Sequence, residues 1–256
     1  MKIAVCVKQV PARDSALRVD AAGKWLEEAD LAYEMNEPDA YALEEALQLK
    51  EAQLGEVIAV CAGPARVAQT IREALAKGAD RAIHIETGEA APSDVLVTAQ
   101  LLAKALEAEK PDLILTGLQS DDMGYGQTGV VLAELLGYAH ATIVMEVAPR
   151  PGGVRVKREL ENGWFQHVEL PLPAVLTIQS GIKKLRYATL MGIKKAKTKE
   201  VKTLAAAQLD GSANPAIVTD RIYQPPRTKQ SQIFSGDPRE AARQLVEKLK
   251  FEARVL

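Results

Sequence analysis

Short apolar runs alternate with helix-period segments through the first half of the chain. "KIAVCVK" (2–8), "EVIAVCA" (56–62), "RAIHIE" (81–86) and "DLILTG" (112–117) are the candidate strands. Between them, "DAYALEEALQLKEAQ" sets Ala42, Leu43, Ala46 and Leu47 on one face, as a 3.6-residue period requires. "ARVAQTIREALAKGA" does the same with Val67, Ile71 and Leu75, and stops at Lys77-Gly78. "SDVLVTAQLLAKALEAEK" (93–110) starts at an expected N-cap, Ser93, and runs up to Pro111. Strands alternating with helices in this way predict crossover units of a parallel sheet.

After residue 140 the pattern changes to adjacent strand-like runs. "ATIVMEVA", "GGVRVKREL" and "GWFQHVEL" are separated by Pro151-Gly152-Gly153 and by Glu161-Asn162-Gly163. Asn-Gly between alternating runs signals a hairpin. These strands are expected to extend the sheet in antiparallel fashion, with "PAVLTIQ" (173–179) returning as an interior strand. From about residue 183 no domain pattern is visible. Residues 183–202 carry eight basic residues and one acid, and a long segment without sustained period follows. One amphipathic helix, roughly 238–250, has a clear start at Asp237, with Pro238 in its first turn and Glu240 three residues beyond the cap. A long structureless run inside a compact domain is unusual, so this stretch reads as an extended arm laid on something else.

The chain has 256 residues, 47% of them apolar, and a formal charge of −2. That suffices for one large domain with an appendage and argues against general nucleic-acid binding. Cys6 and Cys61 lie in separate apolar runs, without metal-ligand spacing, and read as buried thiols in a reducing compartment. Only five apolar residues stand between Lys2 and Lys8, and no apolar run approaches 18 residues. The expected location is the bacterial cytoplasm, with the mitochondrial matrix as the alternative.

The segment "TGLQSDDMGYGQTG" (116–129) follows a candidate strand, where ligands of open α/β sheets bind. Its glycines would let backbone amides approach an anion, and a helix starting near Gly126-Gln127-Thr128 would turn its positive end to a phosphate. Asp121 and Asp122 suit a ribose hydroxyl, backbone donors or the orientation of the loop. The segment is neither a Walker A loop nor a G-x-G-x-x-G fingerprint, so nucleotide binding and a plain tight loop both remain open. Asn36 reads as the N-cap of the first helix with Asp39 in its first turn, and the Asn36 amide could also reach a base or ribose edge. His84, His140 and His167 fall in separate segments, and no nucleophile elbow or paired-carboxylate metal site is present. A nucleotide cradle without catalytic chemistry is what these residues describe.

"VCVKQV", "MNEPDAYALEEALQLKE", "VIAVCAGP", "DLILTGLQSDD" with "QTG", "VKRELENG", "LPAVLTIQ" and above all "RYATLMGIKKAKTKEV" resemble the β subunit of electron transfer flavoprotein, in order, over residues 1 to about 202. The resemblance implies an α/β, Rossmann-like doubly wound, mostly parallel sheet with added antiparallel strands and an extended C-terminal arm. It divides the chain into a nucleotide-binding domain (1–185), a partner-recognition loop and basic linker (186–202), and an arm (203–256) whose helix contacts the α subunit. It also implies a carrier without catalytic residues of its own, which binds structural AMP while FAD held mainly by the α subunit carries electrons. By position, AMP contacts fall on Cys6, Asn36, Glu37, Pro38, Asp39, Ala62, Ser120, Asp121, Asp122, Gly124, Gly126, Gln127, Thr128, Gly129, Val130 and Val131. Leu190 matches the anchor that docks acyl-CoA dehydrogenases and similar flavin dehydrogenases, with Lys194, Lys195, Lys197 and Lys199 as a basic collar. A quinone oxidoreductase would be the acceptor.

Electron-bifurcating members with FAD in this site show a Q-V-G-type loop where this chain has Gln127-Thr128-Gly129, so the resemblance favours AMP, with FAD here as the alternative. Some members place a tyrosine near the flavin shortly after the first strand, where this chain has Pro11-Ala12-Arg13-Asp14. An independent, stress-protein-like ATP binder is the second alternative.

Overall fold

The computed structural model describes residues 1–88, 94–209, 215–226 and 231–256. The chain divides into two compact units, Met1–Arg221 and Ile222–Leu256. In the larger unit, β1 (Lys2–Cys6) is followed by a two-stranded antiparallel ribbon, β2 (Gln9–Pro11) with β3 (Tyr33–Met35). Next come α1 (Glu37–Gln53), β4 (Glu56–Gly63), α2 (Ala68–Lys77), β5 (Arg81–Glu86), α3 (Val95–Glu107), β6 (Leu113–Gly117) and α4 (Thr128–Leu136). The chain continues as β7 (Ala139–Arg150), β8 (Gly153–Glu159), β9 (Phe165–Pro171), β10 (Ala174–Ile178), α5 (Leu190–Ala196) and β11 (Val201–Ala205). The nine-stranded sheet has the order β11-β5-β4-β1-β6-β10-β7-β8-β9. It is parallel except at β8 and β9, which pair antiparallel. β10 runs between β6 and β7, as an interior strand.

Period-2 alternation along the strands explains why both faces are covered. Val5, Val57, Ala59, Leu113 and Leu115 point to one face and pack with Leu43, Leu47, Ile71 and Leu75 of α1 and α2. Ala4, Cys6, Ile58, Val60 and Ile114 point to the other and pack with Leu102 and Leu106 of α3 and Leu132 of α4. Side chains are buried on both faces, so the central strands read as continuous apolar runs.

Two local expectations change. Ser93 lies outside the described residues; the N-cap of α3 is Asp94, whose carboxylate accepts from the Val97 N–H at 2.8 Å. Residues 183–205, which carry no visible domain pattern, belong to the larger unit. α5 packs on α2, and β11 pairs in parallel with β5 as an edge strand. The larger compact unit therefore runs through Arg221. The basic stretch hides its strand because β11 is half-exposed and its short "VKTLA" run offers little apolar pattern.

In the smaller unit, α6 (Pro238–Glu247) continues into a π-helical turn through Glu252. Asp237 caps it, accepting from the Arg239 and Glu240 N–H groups. The Glu240 carboxylate pairs with Arg243 along the helix.

Candidate functional site

The crossovers through α1 and α2 carry the sheet from β1 to β4 and β5, and α3 brings the chain back to β6 on the other side of β1. Strand order reverses between β1 and β6, and a ligand crevice opens outside the carboxyl ends at such a point. A cleft lies there. Cys6 at the end of β1, Val7 and Lys8 just after it and Gln9 at the start of β2 line it, with Ala62 from β4 and Pro64, Arg66 and Val67 from the turn that follows β4. α3 adds Asp94, Val95, Thr98 and Leu102, and α1 adds Asn36 and Asp39. The remaining wall is the segment from Thr116 to Ser120 with Met123 and Tyr125 to Gly129.

Asp39 holds the floor together. Its buried carboxylate accepts from the Lys8 N–H just after β1 and from the Gly117 N–H at the end of β6, each at 2.8 Å. Burial pushes its pKa up to about 6, against the pull of those two backbone donors. Gly117 is needed for the approach: a Cβ there would lie 2.5 Å from Asp39 Oδ1 and 2.6 Å from Pro38 Cβ. Asn36 occupies the N-cap position of α1, but its side chain makes no cap hydrogen bond. Its Nδ2 donates to the Gln119 carbonyl at 3.0 Å, and its Oδ1 accepts from the Asp121 N–H at 2.9 Å. The amide is thus committed to holding the glycine-rich loop.

The two loop acids are neutralised from the strand side. Lys8 Nζ lies 2.6 Å from Asp122 Oδ1 and donates to Ser120 Oγ at 3.3 Å. Arg13 pairs with Asp121 at 3.2 Å and with Glu37. These contacts orient the loop, and Arg13 is engaged in them. Gly124 and Gly126 both have left-handed backbone, φ +65° and +63°, which their lack of a side chain permits. Gly129 lets α4 settle onto the sheet: a Cβ would meet Thr177 Cγ2 at 2.6 Å and Thr116 Oγ1 at 2.7 Å. Gln127 is the N-cap of α4 without a side-chain cap bond, so it does not consume the amides of the first turn.

Of the site residues expected from sequence, Cys6, Asn36, Asp39, Ala62, Ser120, Gly126, Gln127, Thr128 and Gly129 line the cleft. Glu37, Pro38, Asp121, Asp122, Gly124, Val130 and Val131 flank it without lining it. Lys8, Gln9, Arg66 and Thr98 are additional wall residues. Arg66 stands directly after the "CAGPA" turn, the one local signal that could have marked it. Its guanidinium lies 4.4 Å from the Tyr33 ring centroid. Two buried polar atoms of this wall, Gln9 Oε1 and Arg66 Nε, have no hydrogen-bond partner among the described residues. The orphaned Arg66 Nε–H is a donor and Gln9 Oε1 an acceptor, so beside a helix N-terminus they suit a polar ligand that both accepts and donates, while Val67, Val95 and Leu102 offer apolar contact.

Elsewhere the chemistry is quiet. Burial pushes the thiol pKa of both cysteines up, Cys61 to about 12, so neither is a thiolate at neutral pH. His84 is a buried strand residue, its Nε2 2.9 Å from the Gly63 carbonyl, and His140 and His167 are exposed on β7 and β9. Among the described residues no cluster fits a metal ion and no helix is long and apolar enough to cross a membrane.

Leu190 opens α5 and is 82% exposed, beside exposed Tyr187 and Met191. Lys194 and Lys195 in the last turn of α5 and Lys197 at its C-cap are also exposed. Lys199 is not part of this collar: it turns inward and donates to the Leu75 and Ala79 carbonyls.

A family model described as "Electron transfer flavoprotein domain" matches residues 24–209. The chain is 41% identical over 218 residues to electron transfer flavoprotein subunit beta of Methylophilus methylotrophus, covering 84% of this chain and 83% of that protein. It is 36% identical to the mitochondrial subunit beta of Oryza sativa subsp. indica, over all of both chains. It is also 36% identical to the human subunit beta, over 100% of this chain and 99% of that one. Carried by these full-length similarities and by a mostly parallel sheet with a cleft at its switch point, the conclusion is that the chain belongs to the electron transfer flavoprotein family, as a β subunit.

Proposed function

We propose that the cleft holds AMP as a structural ligand and that the chain works as the β half of a heterodimer, whose α subunit holds most of the FAD. When bound, FAD supplies the one- and two-electron chemistry. This chain's residues bind, orient and dock. Gln127, Thr128 and the first amides of α4 meet the phosphate, aided by the positive end of the helix. Val67, Val95 and Leu102 give the base an apolar wall, and Asn36, Asp39 and Lys8 hold the loop in place. Leu190 is the anchor for acyl-CoA dehydrogenase-type donors, and a quinone oxidoreductase is the acceptor.

The observation that carries this reading is the placement of the glycine-rich loop and the α4 N-terminus at the β1/β6 switch point, with unpartnered polar atoms in the same wall. Mass spectrometry of the ligand released from the denatured heterodimer tests it. AMP at one equivalent supports the assignment. FAD at two equivalents per heterodimer would instead place a flavin in this cleft, and ATP would point to an independent nucleotide-binding protein.

A further inference from the structure

The exposed tip at Tyr187, Leu190 and Met191 is tied to the body of the fold on both sides in sequence and through α5 itself, which packs on α2. On the N-terminal side, Arg186 straddles two carboxylates of α1. Its Nε and one terminal nitrogen donate to the two oxygens of buried Glu44 at 2.8 and 3.0 Å. Its terminal nitrogens reach the two oxygens of Glu51 at 2.6 and 3.1 Å. The Arg186 backbone N–H adds a bond to Glu44 at 3.2 Å, and Gln48 holds Glu44 from the next turn at 2.8 Å. Glu44 and Glu51 stand seven residues apart, on one face of the helix, so a planar forked cation can bridge them and an ammonium cannot do so equally.

On the C-terminal side, Lys199 donates to the Leu75 and Ala79 carbonyls at the end of α2, where the helix dipole favours a cation. Between the two points, Gly192 lies against α2 so closely that a Cβ would be 2.2 Å from the Ala76 carbonyl oxygen. Thr189 Oγ accepts from the Gly192 N–H at 3.0 Å and starts α5. Tyr187 to Thr189 have no regular secondary structure of their own, and their path is bounded by the Arg186 clamp on one side and the Thr189 cap of α5 on the other.

The geometry points to Arg186 as a positioning residue for partner docking: with Lys199 and Gly192 it holds the Leu190 tip in one pose before an encounter, so that little order has to be gained on binding. This inference rests on the reading of Leu190 as a docking anchor. A tip already ordered in the free protein binds better than one that must be ordered at the interface. Burial raises the Glu44 carboxyl, but the hydrogen bonds from Arg186 and Gln48 outweigh it and leave the pKa below the ordinary value; Arg186 also lowers that of Glu51. Both acids therefore stay charged partners of the clamp at neutral pH.

The test uses the intact heterodimer as substrate for an acyl-CoA dehydrogenase, with Arg186→Gln, Arg186→Lys, Glu51→Gln, Leu190→Ala and the double variant Arg186→Gln/Leu190→Ala. Glu51 is a solvent-facing half of the clamp, so its variant stays informative if Arg186→Gln folds poorly. Arg186→Gln should raise the KM for the heterodimer roughly fivefold or more while kcat and AMP content hold, with Glu51→Gln intermediate and Arg186→Lys restoring only part. Amide hydrogen exchange should quicken over residues 187–193 and not in the central strands. On the Leu190→Ala background, Arg186→Gln should add almost nothing, because both act through one contact. An unchanged KM for both clamp variants, or an effect that simply multiplies that of Leu190→Ala, would overturn the positioning role. A Leu190→Ala protein with the parent KM would instead remove the docking anchor itself.

Discussion

Asp39 Oδ1 accepts the Gly117 N–H at 2.8 Å, and the missing side chain of Gly117 is what permits it, since a Cβ would stand 2.5 Å from that oxygen and 2.7 Å from the Pro38 carbonyl carbon. The pair ties the start of α1 to the end of β6 under the cleft. Gly117→Ala must move backbone, not only a flexible side chain. Overpacking of this kind costs roughly 1–3 kcal/mol. Chemical denaturation of the variant should show that loss together with reduced nucleotide content; parent stability and content would mean that the clamp is slack.

The Asp39 carboxyl has its pKa raised by burial from 3.8 to about 6. The folded chain therefore binds this proton more tightly than the unfolded chain. Stability linked to Asp39 is complete below about pH 4 and is lost as pH rises through about 6, a difference on the order of 3 kcal/mol. Carboxyl-carbon NMR of the ligand-free protein should show one group titrating near pH 6, absent in Asp39→Asn, whose unfolding free energy should lack this slope. An Asp39 signal titrating near 4 would refute the desolvation argument.

Thr128 is the first residue of α4 and lines the cleft. Thr128→Val keeps its volume and removes its hydroxyl donor. One hydrogen bond to a charged group is worth roughly 1.5–3 kcal/mol, so the variant should retain AMP poorly through dilution and refolding. Full AMP occupancy after that treatment would remove the phosphate from this end of the loop.

Lys194, Lys195 and Lys197 put three exposed positive charges along and just past α5, the helix that Leu190 opens. Rim charges act on encounter more than on residence. Exchanging the three for glutamine should slow association with an acyl-CoA dehydrogenase at low salt and matter little at high salt. Stopped-flow rates across ionic strength decide this, and a salt-independent deficit would show that the lysines do something other than steer.

The unit boundary at Arg221 sets where the chain can be cut. Leu245, Val246 and Phe251 of the smaller unit are exposed, an apolar surface that the proposed α subunit would cover. Removing residues 222–256 should leave a folded nucleotide-binding unit that holds the α subunit weakly. A cut at 203 should do worse, because it removes most of β11 from the sheet. Unchanged co-purification of the 1–221 protein with the α subunit would show that the smaller unit is not part of that interface.

The elements that position the cleft were written in short-range pattern. Apolar runs of strand length and the helix period of Ala42, Leu43, Ala46 and Leu47 are properties of neighbouring residues, and each forms as its spacing requires. The glycine-rich segment was legible for the same reason, since left-handed positions at Gly124 and Gly126 need glycine locally. What spacing does not carry is which distant group satisfies a polar side chain. Asn36 looks like an ordinary cap, yet its amide serves residues 119 and 121; Asp121 and Asp122 leave several roles open by sequence, and only the fold brings Arg13 and Lys8 to them. Lys199 belongs by sequence to an exposed basic run and by fold to the end of α2. β11 was hidden because an edge strand gains its place from hydrogen bonds to β5, which any sequence can make, and only in small part from burial. Periodicity reports burial along one segment, whereas partners across more than 80 residues are settled only when the sheet brings the strand ends together.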